Sequence, residues 1–121
     1  SIKVHFDMYH GFGNLDKAID LLDNDNKNDF REFVNKNGSF NPFNMFICNS
    51  YSLLNDYYKS LFNWLEKCET LFGFNLNSPY GLIRIYAFLA ERYLSYWFKK
   101  NSNYILWPIK HYDISNYKEN L

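Results

Sequence analysis

The sequence predicts an α+β domain that is predominantly α-helical, with two long packed helices, several short helices and a few short strands. The chain has 121 residues, which suits one domain, so we treat residues 1–121 as a single helix-rich unit. Apolar residues make up 47% and aromatic residues 21% of the chain, which is enough for a core and unlike a disordered segment. Two long segments also repeat their apolar residues at the spacing of a helix.

The amino-terminal part is predicted to form one strand and two short helices. Residues 2–6 alternate apolar and polar side chains, which is typical of a short strand or extended segment. Asn14 is a suitable N-cap for a helix over about residues 15–22. The polar residues 23–29 then favour a turn before a second short helix, which we expect to end near Gly38.

The strongest periodic signal predicts the first long helix, which begins at a cap on Ser50 or Ser52 and ends at about Phe72. Gly73 follows at the position where a C-cap glycine belongs. The apolar residues of this helix recur at alternating spacings of four and three, which is the pattern of one buried face. These residues are Leu54, Tyr58, Leu61, Leu65, Cys68 and Phe72.

The second long helix is predicted to open at Pro79 and to end near residues 101–103. Apolar side chains lie on most of its sides, which indicates a central, buried helix. The apolar run 40–49 is compatible with either a buried strand or a tight loop, and residues 104–109 with a closing edge strand, where proline is tolerated. We expect the polar tail after Asp113 to fray.

Charge and cysteine content restrict the class of protein. Lys and Arg together number 13, as do Asp and Glu, so the formal net charge is zero and nucleic acid is not an expected partner. Cys48 and Cys68 do not form the disulfide framework of a small secreted domain, which favours the cytoplasm. Residues 80–98 carry three charged residues in their middle, which argues against a membrane span. Peripheral contact with the inner face of the membrane and homo-oligomerisation both stay open.

Two candidate reactive groups have an ordinary structural explanation. Two carboxylates spaced as in Asp23-Asn24-Asp25 can hold Mg²⁺ or Mn²⁺. A metal-binding pair of this kind normally ends an apolar strand, whereas this one opens a polar loop, so we assign no metal site. Cys48 and Cys68 resemble core thiols, because the sequence indicates no base that would activate either of them.

Histidines near the amino terminus are candidates for acid–base chemistry. His5 and Asp7 point to the same side if residues 2–6 form a strand that continues to Asp7. His10 lies just beyond them, before a pair of flexible glycines, and could act as an acid, a base or a metal ligand. The alternative is a surface histidine that is hydrogen-bonded to a neighbour.

Charged residues inside the second long helix are the other candidates. Arg84 and Glu91 lie on one face of that helix, two turns apart, and Arg92 is turned about 100° from Glu91. Charges in so apolar a helix need partners. They either form ion pairs that lock the helix to its neighbours, or Glu91 or Arg92 reaches a cleft and contacts a polar ligand.

Two sequence blocks carry a family resemblance. The first is NMFI at residues 44–47 followed by the aromatic stretch 57–66, and the second is residues 80–94, which contain AFLAER. Together they resemble a capsular-polysaccharide-type family of glycosyltransferases that was formerly described as a domain of unknown function. The resemblance covers about residues 40–100, and His10 with the Leu-Asp pair that follows it resembles a weaker histidine segment of the family.

The chain also departs from the family pattern. Tyr86-Ala87-Phe88 stands where the family has a Gly-Phe pair, and nothing matches the family's nucleotide-binding half with its HYRR-like motif. The resemblance therefore implies the carboxyl-terminal part of a larger, GT-A-like glycosyltransferase, and we expect this fragment to be inactive alone.

The resemblance implies a function in capsular polysaccharide or lipopolysaccharide biosynthesis in bacteria. The parent would transfer a hexosyl group from a nucleotide sugar to a surface polysaccharide or lipooligosaccharide acceptor, with Mg²⁺ or Mn²⁺ held outside this fragment. Glu91 and His10 would be catalytic, and Asn44, Arg92 and Arg84 would bind substrate. The alternative is a non-catalytic helical module that binds a protein partner through its aromatic helices. Convergence of these residues on one cleft would favour the enzyme.

Overall fold

The computed structural model describes residues 1–110, and all of its regular structure is helical. The helices are α1 (Ile2–His10), α2 (Asn14–Asp20), α3 (Asn24–Lys36), α4 (Tyr51–Phe72), α5 (Tyr80–Ile83) and α6 (Ile85–Asn101). No strand forms within residues 1–110, so the predicted α+β class is wrong and the fold is all-α in this part of the chain. The expected fraying after Asp113 concerns residues outside the described part.

The segment predicted as a strand is helix α1. Alternation over five residues is too short to distinguish a strand from a helix, and the buried residues Ile2, Phe6 and His10 follow the helical spacing of four. Local interactions support the helix: Ser1 caps its first turn, and Lys3 pairs with Asp7 at 2.7 Å, one turn away.

Helices α2 and α3 follow in the order that the sequence predicts, with shifted bounds. The Asp23 carboxylate accepts a hydrogen bond from the backbone N–H of Asn26 at 3.0 Å, so this residue is the N-cap of α3 and not part of an open turn. Helix α3 therefore begins inside the stretch that was predicted as a turn and is longer than expected. It packs against α1, α2 and α6 and buries Phe30 and Val34, and the Phe30 ring contacts Trp64 of α4 and Tyr93 of α6.

The prediction of the first long helix is confirmed by α4. Its N-cap is Ser50, whose hydroxyl accepts from the N–H of Leu53 at 3.2 Å, and Gly73 ends it with φ of 64°, a backbone conformation that favours glycine. The predicted buried face is only partly correct. Leu61 and Cys68 are buried, but the other buried residues of α4 are Tyr57 and Trp64, which lie outside that face.

The second long helix is divided in two. Arg84, with φ of −103° and ψ of 22°, departs from helical geometry and separates the short α5 from the long α6. Helix α6 is central, as predicted, and packs against both α3 and α4. The interruption lets α5 turn toward α1 and cover one side of a groove that α1 and α6 line.

The remaining segments are loops. Residues 40–49 contain a turn in which Phe43 and Asn44 have positive φ, so the tight loop is correct and the buried strand is wrong. Residues 104–109, predicted as an edge strand, have no regular structure, and Trp107 is 85% exposed. An edge strand needs a sheet to pair with, and residues 1–110 contain none.

A candidate ligand groove beside Arg92

The chain has a groove between α1, α5, α6 and the loop that precedes α4. Its volume is about 670 Å³, which is within the range of small-molecule sites. The polar side chains in its wall include His5, His10, Glu91 and Arg92, so three of the sequence-predicted site residues meet here together with the neighbouring His5. The wall also contains four aromatic residues, which are Tyr9, Phe40, Tyr80 and Phe88.

Arg92 lies at the base of the groove and is 99% buried, with a relative exposure of 1%. Its Nη1 donates to the carbonyl oxygen of Phe88 at 3.0 Å and to Oε2 of Glu91 at 3.2 Å. Its Nη2 lies 3.2 Å from Nδ1 of His5, while Nε has no hydrogen-bond partner within residues 1–110 and is shielded from solvent. Burial lowers the pKa of Arg92, and the neighbouring Glu91 partly offsets that shift.

Three aromatic rings surround the guanidinium. Its central carbon lies 4.5 Å from the ring centre of Phe40, 5.2 Å from that of Phe6 and 5.9 Å from that of Phe88. These faces attract a cation and remove it from water. The loop that carries Phe40 is held to α6 because the backbone N–H of Asn41 donates to Oγ of the buried Ser95 at 2.7 Å.

His10 is the last residue of α1 and is 5% exposed. Its ring stacks on Phe88 with 4.0 Å between ring centres, and its Nδ1 lies 3.2 Å from the carbonyl oxygen of Gly81, to which the protonated nitrogen donates. Burial, and after it the positive charge of Arg92, lower the pKa of His10 below its ordinary value of 6.5. His10 is therefore neutral at pH 7, and Nε2 is its basic nitrogen.

His5 is not placed as the sequence predicts. In a strand His5 and Asp7 would share one face, but in α1 they lie on different faces because two residues correspond to about 200° of helical rotation. His5 turns toward Arg92, whereas Asp7 pairs with Lys3 and accepts from the backbone N–H of Gly13 at 3.1 Å. Since a guanidinium only donates, Nδ1 of His5 is the acceptor in its contact with Arg92.

Glu91 is the carboxylate of the groove. Its side chain is 17% exposed, and Arg92 contacts it at Oε2 alone. The other oxygen, Oε1, has no hydrogen-bond partner within residues 1–110, so it can accept a proton or a hydrogen bond from a ligand.

Gly81 contributes to the groove although the sequence analysis did not single it out. A Cβ atom at this position would lie 2.0 Å from the carbonyl oxygen of Tyr9 and 3.1 Å from Nδ1 of His10. Only glycine therefore allows α5 to approach α1 closely enough to hold His10. The available signal was the glycine itself, since glycine within a helical pattern often marks a close backbone approach.

Asn44 and Arg84 lie outside the groove. The Asn44 side chain donates from Nδ2 to the carbonyl oxygen of Ala87 at 3.2 Å and lines a separate apolar depression between α4 and α6. Arg84 is exposed and donates to the hydroxyl of Tyr80 at 2.8 Å, so it reaches the groove only through that ring. Sequence spacing could not reveal this, because the helix break at Arg84 changes the face that follows it.

The residues that the structure describes supply no site for the metal that the resemblance implies for the parent. Within residues 1–110 there is no group of three His, Cys, Asp or Glu side chains arranged to hold a metal ion. Both carboxylate oxygens of Asp23 bind Asn26. Cys68 is buried, which raises the pKa of its thiol to about 12, and the Cys48 thiol donates to the carbonyl oxygen of Ser50. No helix of the described residues is long and apolar enough to cross a membrane.

The geometry defines the class of protein: it is a helical domain in which an aromatic groove surrounds a buried arginine. Residues 1–102 match a family described as "Domain of unknown function (DUF4422)", and the chain belongs to this family. Neither the curated proteins nor the solved structures include a match to the chain.

Proposed function

We propose that this chain supplies the acceptor-side part of a bacterial glycosyltransferase, which moves a hexosyl group from a nucleotide sugar to a surface glycan. The observation that carries the proposal is the meeting of His10, Glu91 and Arg92 in one groove, from helices far apart in the sequence. The sequence resemblance implies a role for each of these residues, and the groove has the size of a small-ligand site.

Glu91 is the proposed base for the acceptor hydroxyl. Glycosyl transfer requires that a hydroxyl lose its proton as it attacks the donor sugar, and a carboxylate within hydrogen-bond reach performs this step. Oε1 of Glu91 has no partner among the described residues and can take this proton, while the contact of Oε2 with Arg92 at 3.2 Å orients the carboxylate. His10, held by Gly81 and neutral, positions the acceptor by accepting a second hydroxyl hydrogen on Nε2.

The test is a transfer assay with the full-length gene product, a panel of nucleotide sugars and surface-glycan acceptors, measuring release of the nucleoside diphosphate. We expect Glu91→Gln to lower kcat by about 10²-fold or more. Glu66→Gln, an exposed carboxylate on α4, is the matched control and should retain activity. Binding of no nucleotide sugar by the full-length protein, or full activity in Glu91→Gln, would count against the proposal.

A second candidate is a non-catalytic module that binds a protein partner. It is favoured by large apolar side chains that are exposed at the carboxyl end of the described part, where Ile105 is 86% and Trp107 is 85% exposed. Stable association with a protein partner that survives Glu91→Gln, without any transfer activity in the wild type, would support the module over the enzyme.

A further inference from the structure

One edge of the Arg92 guanidinium lacks a full set of acceptors. Nη1 is satisfied by Glu91 and by the carbonyl of Phe88. On the side-on edge, where the Nε and Nη2 hydrogens are parallel, Nη2 has only His5 and Nε has no acceptor within the described residues. A buried charged group with an unpaired N–H is unfavourable, so this edge is suited to an acceptor that bridges both nitrogens.

His5 is an acceptor that a ligand can replace. Its side chain is exposed, and the 3.2 Å contact of Nδ1 with Nη2 offers one lone pair where the edge has two donors. A carboxylate offers two oxygens at the spacing of these donors. Rotation of the His5 ring into solvent opens the edge, because the surrounding Phe6 and Phe40 are packed and cannot move as easily.

The charge of the groove disfavours a ligand with two or more negative charges. Among the described residues of the wall, Arg92 carries the one formal positive charge and Glu91 the one negative charge, and His10 is neutral at pH 7. A diphosphate, with two or more negative charges, would meet too little positive charge here. One carboxylate is matched by one guanidinium edge.

The aromatic rings around this edge of Arg92 indicate what kind of molecule carries the carboxylate. Tyr9, Tyr80 and Phe88 supply flat apolar surface beside the few polar groups of the wall. A groove of about 670 Å³ with this lining suits a compact ring that has apolar faces and polar edges. A pyranose ring has this character, and a hexuronic acid combines it with one carboxylate.

We infer that the groove binds an acidic sugar unit of the glycan, whose carboxylate takes the Nε–Nη2 edge of Arg92 while His5 moves aside. The inference rests on the proposed function, because it names the class of acceptor. The carboxylate makes two parallel charge-assisted hydrogen bonds, and the sugar ring lies against Tyr9, Tyr80 and Phe88.

The test is a titration of the 121-residue chain with glucuronate, glucose, acetate and inorganic pyrophosphate, followed through the ¹⁵N resonance of Arg92 Nε. We expect glucuronate to shift this resonance and to bind at least about tenfold more tightly than glucose or acetate. Equal affinity for glucose would overturn carboxylate recognition, and equal affinity for acetate would overturn recognition of the sugar ring. Tighter binding of pyrophosphate would assign the edge to a phosphate ligand and overturn the inference.

Variants separate the groups involved. Arg92→Lys keeps the charge but loses the parallel donors, so glucuronate affinity should fall about tenfold or more, while Arg31→Lys, which pairs with Asp20 outside the groove, should not change it. Because Arg92→Lys can disturb packing, His5→Ala and Glu91→Gln provide a second test. Both variants leave Arg92 in place. His5→Ala removes a competing acceptor and Glu91→Gln removes a repelling charge, so both should tighten glucuronate binding. Unchanged affinity in both would overturn the inference.

Failure of the inference and failure of the proposed function have different results. Transfer by the full-length protein to neutral acceptors only, with no glucuronate binding, overturns the acidic sugar and keeps the transferase. Glucuronate binding that shifts Arg92 Nε, without use of any nucleotide sugar, keeps the site and overturns the transferase.

Discussion

The two sides of α6 are both buried, but they satisfy their polar groups differently. On the core side, Tyr93 and Tyr96 pack with Phe30 of α3 and Trp64 of α4, and each polar atom has a partner. The Tyr93 hydroxyl lies 2.7 Å from Oγ of Ser60, and the indole N–H of Trp64 donates to the carbonyl of Ala18 at 2.6 Å. On the groove side, Nε of Arg92 has no acceptor among residues 1–110. The core side therefore satisfies its hydrogen-bonding groups without a ligand, whereas the groove side leaves a donor for a ligand.

The largest expected effect belongs to the core side. Trp64→Ala removes a 2% exposed side chain and its hydrogen bond, so we expect a loss of about 3–5 kcal/mol in the free energy of unfolding. Urea denaturation measures it. Phe62→Ala, which removes a 59% exposed ring from the same helix, should cost far less. Similar losses for the two variants would contradict the assignment of the core.

The next effect concerns the close approach of α5 to α1. Gly81→Ala places a Cβ against the carbonyl oxygen of Tyr9, so we expect a loss of about 1–3 kcal/mol in stability and a changed NMR environment of the His10 ring. Gly38→Ala is the matched control, since that glycine also lines the groove but has open space around it. An unchanged His10 signal in Gly81→Ala would mean that Gly81 does not position it.

A smaller effect comes from the titration of His10. Its pKa is lower in the folded chain than the ordinary 6.5, so the unfolded chain binds more protons below that pH and stability falls as the pH drops from about 6.5 toward the folded pKa. One proton limits the slope to about 1.4 kcal/mol per pH unit. Urea denaturation between pH 7.5 and 5, in the wild type and in His10→Gln, measures it. The same pH dependence in both proteins would exclude His10 as the source.

The smallest change in stability is expected at Arg92, despite its burial. Arg92→Met combined with Glu91→Met replaces the whole ion pair by apolar chains of similar length among aromatic rings, a change that is often neutral or stabilising, whereas removal of one partner alone leaves a buried charge unpaired. We expect the free energy of unfolding to change by less than about 1 kcal/mol in thermal or urea denaturation while glucuronate binding is lost. A loss comparable to that of Trp64→Ala would place Arg92 in the core and remove the difference between the two sides.

Part of the site was predictable from the sequence. Charged residues in the middle of an apolar helix need partners, and this argument identified Glu91 and Arg92. His10 was identified by its position before two glycines. His5 and Asp7 were paired wrongly because residues 2–6 are too short for periodicity to separate a strand from a helix, and Asn44 and Arg84 were included although tertiary packing turns them away from the groove.

The sequence alone determined the long helix α4, its Ser50 and Gly73 ends and the central position of α6, because caps and apolar periodicity are local properties that the chain carries wherever it packs. Only the tertiary structure decided that α1 is a helix, that the chain breaks at Arg84, and that α1 and α5 enclose Arg92. These features depend on contacts between residues far apart in the chain, such as Gly81 with Tyr9 and His10, whose distances no local pattern contains.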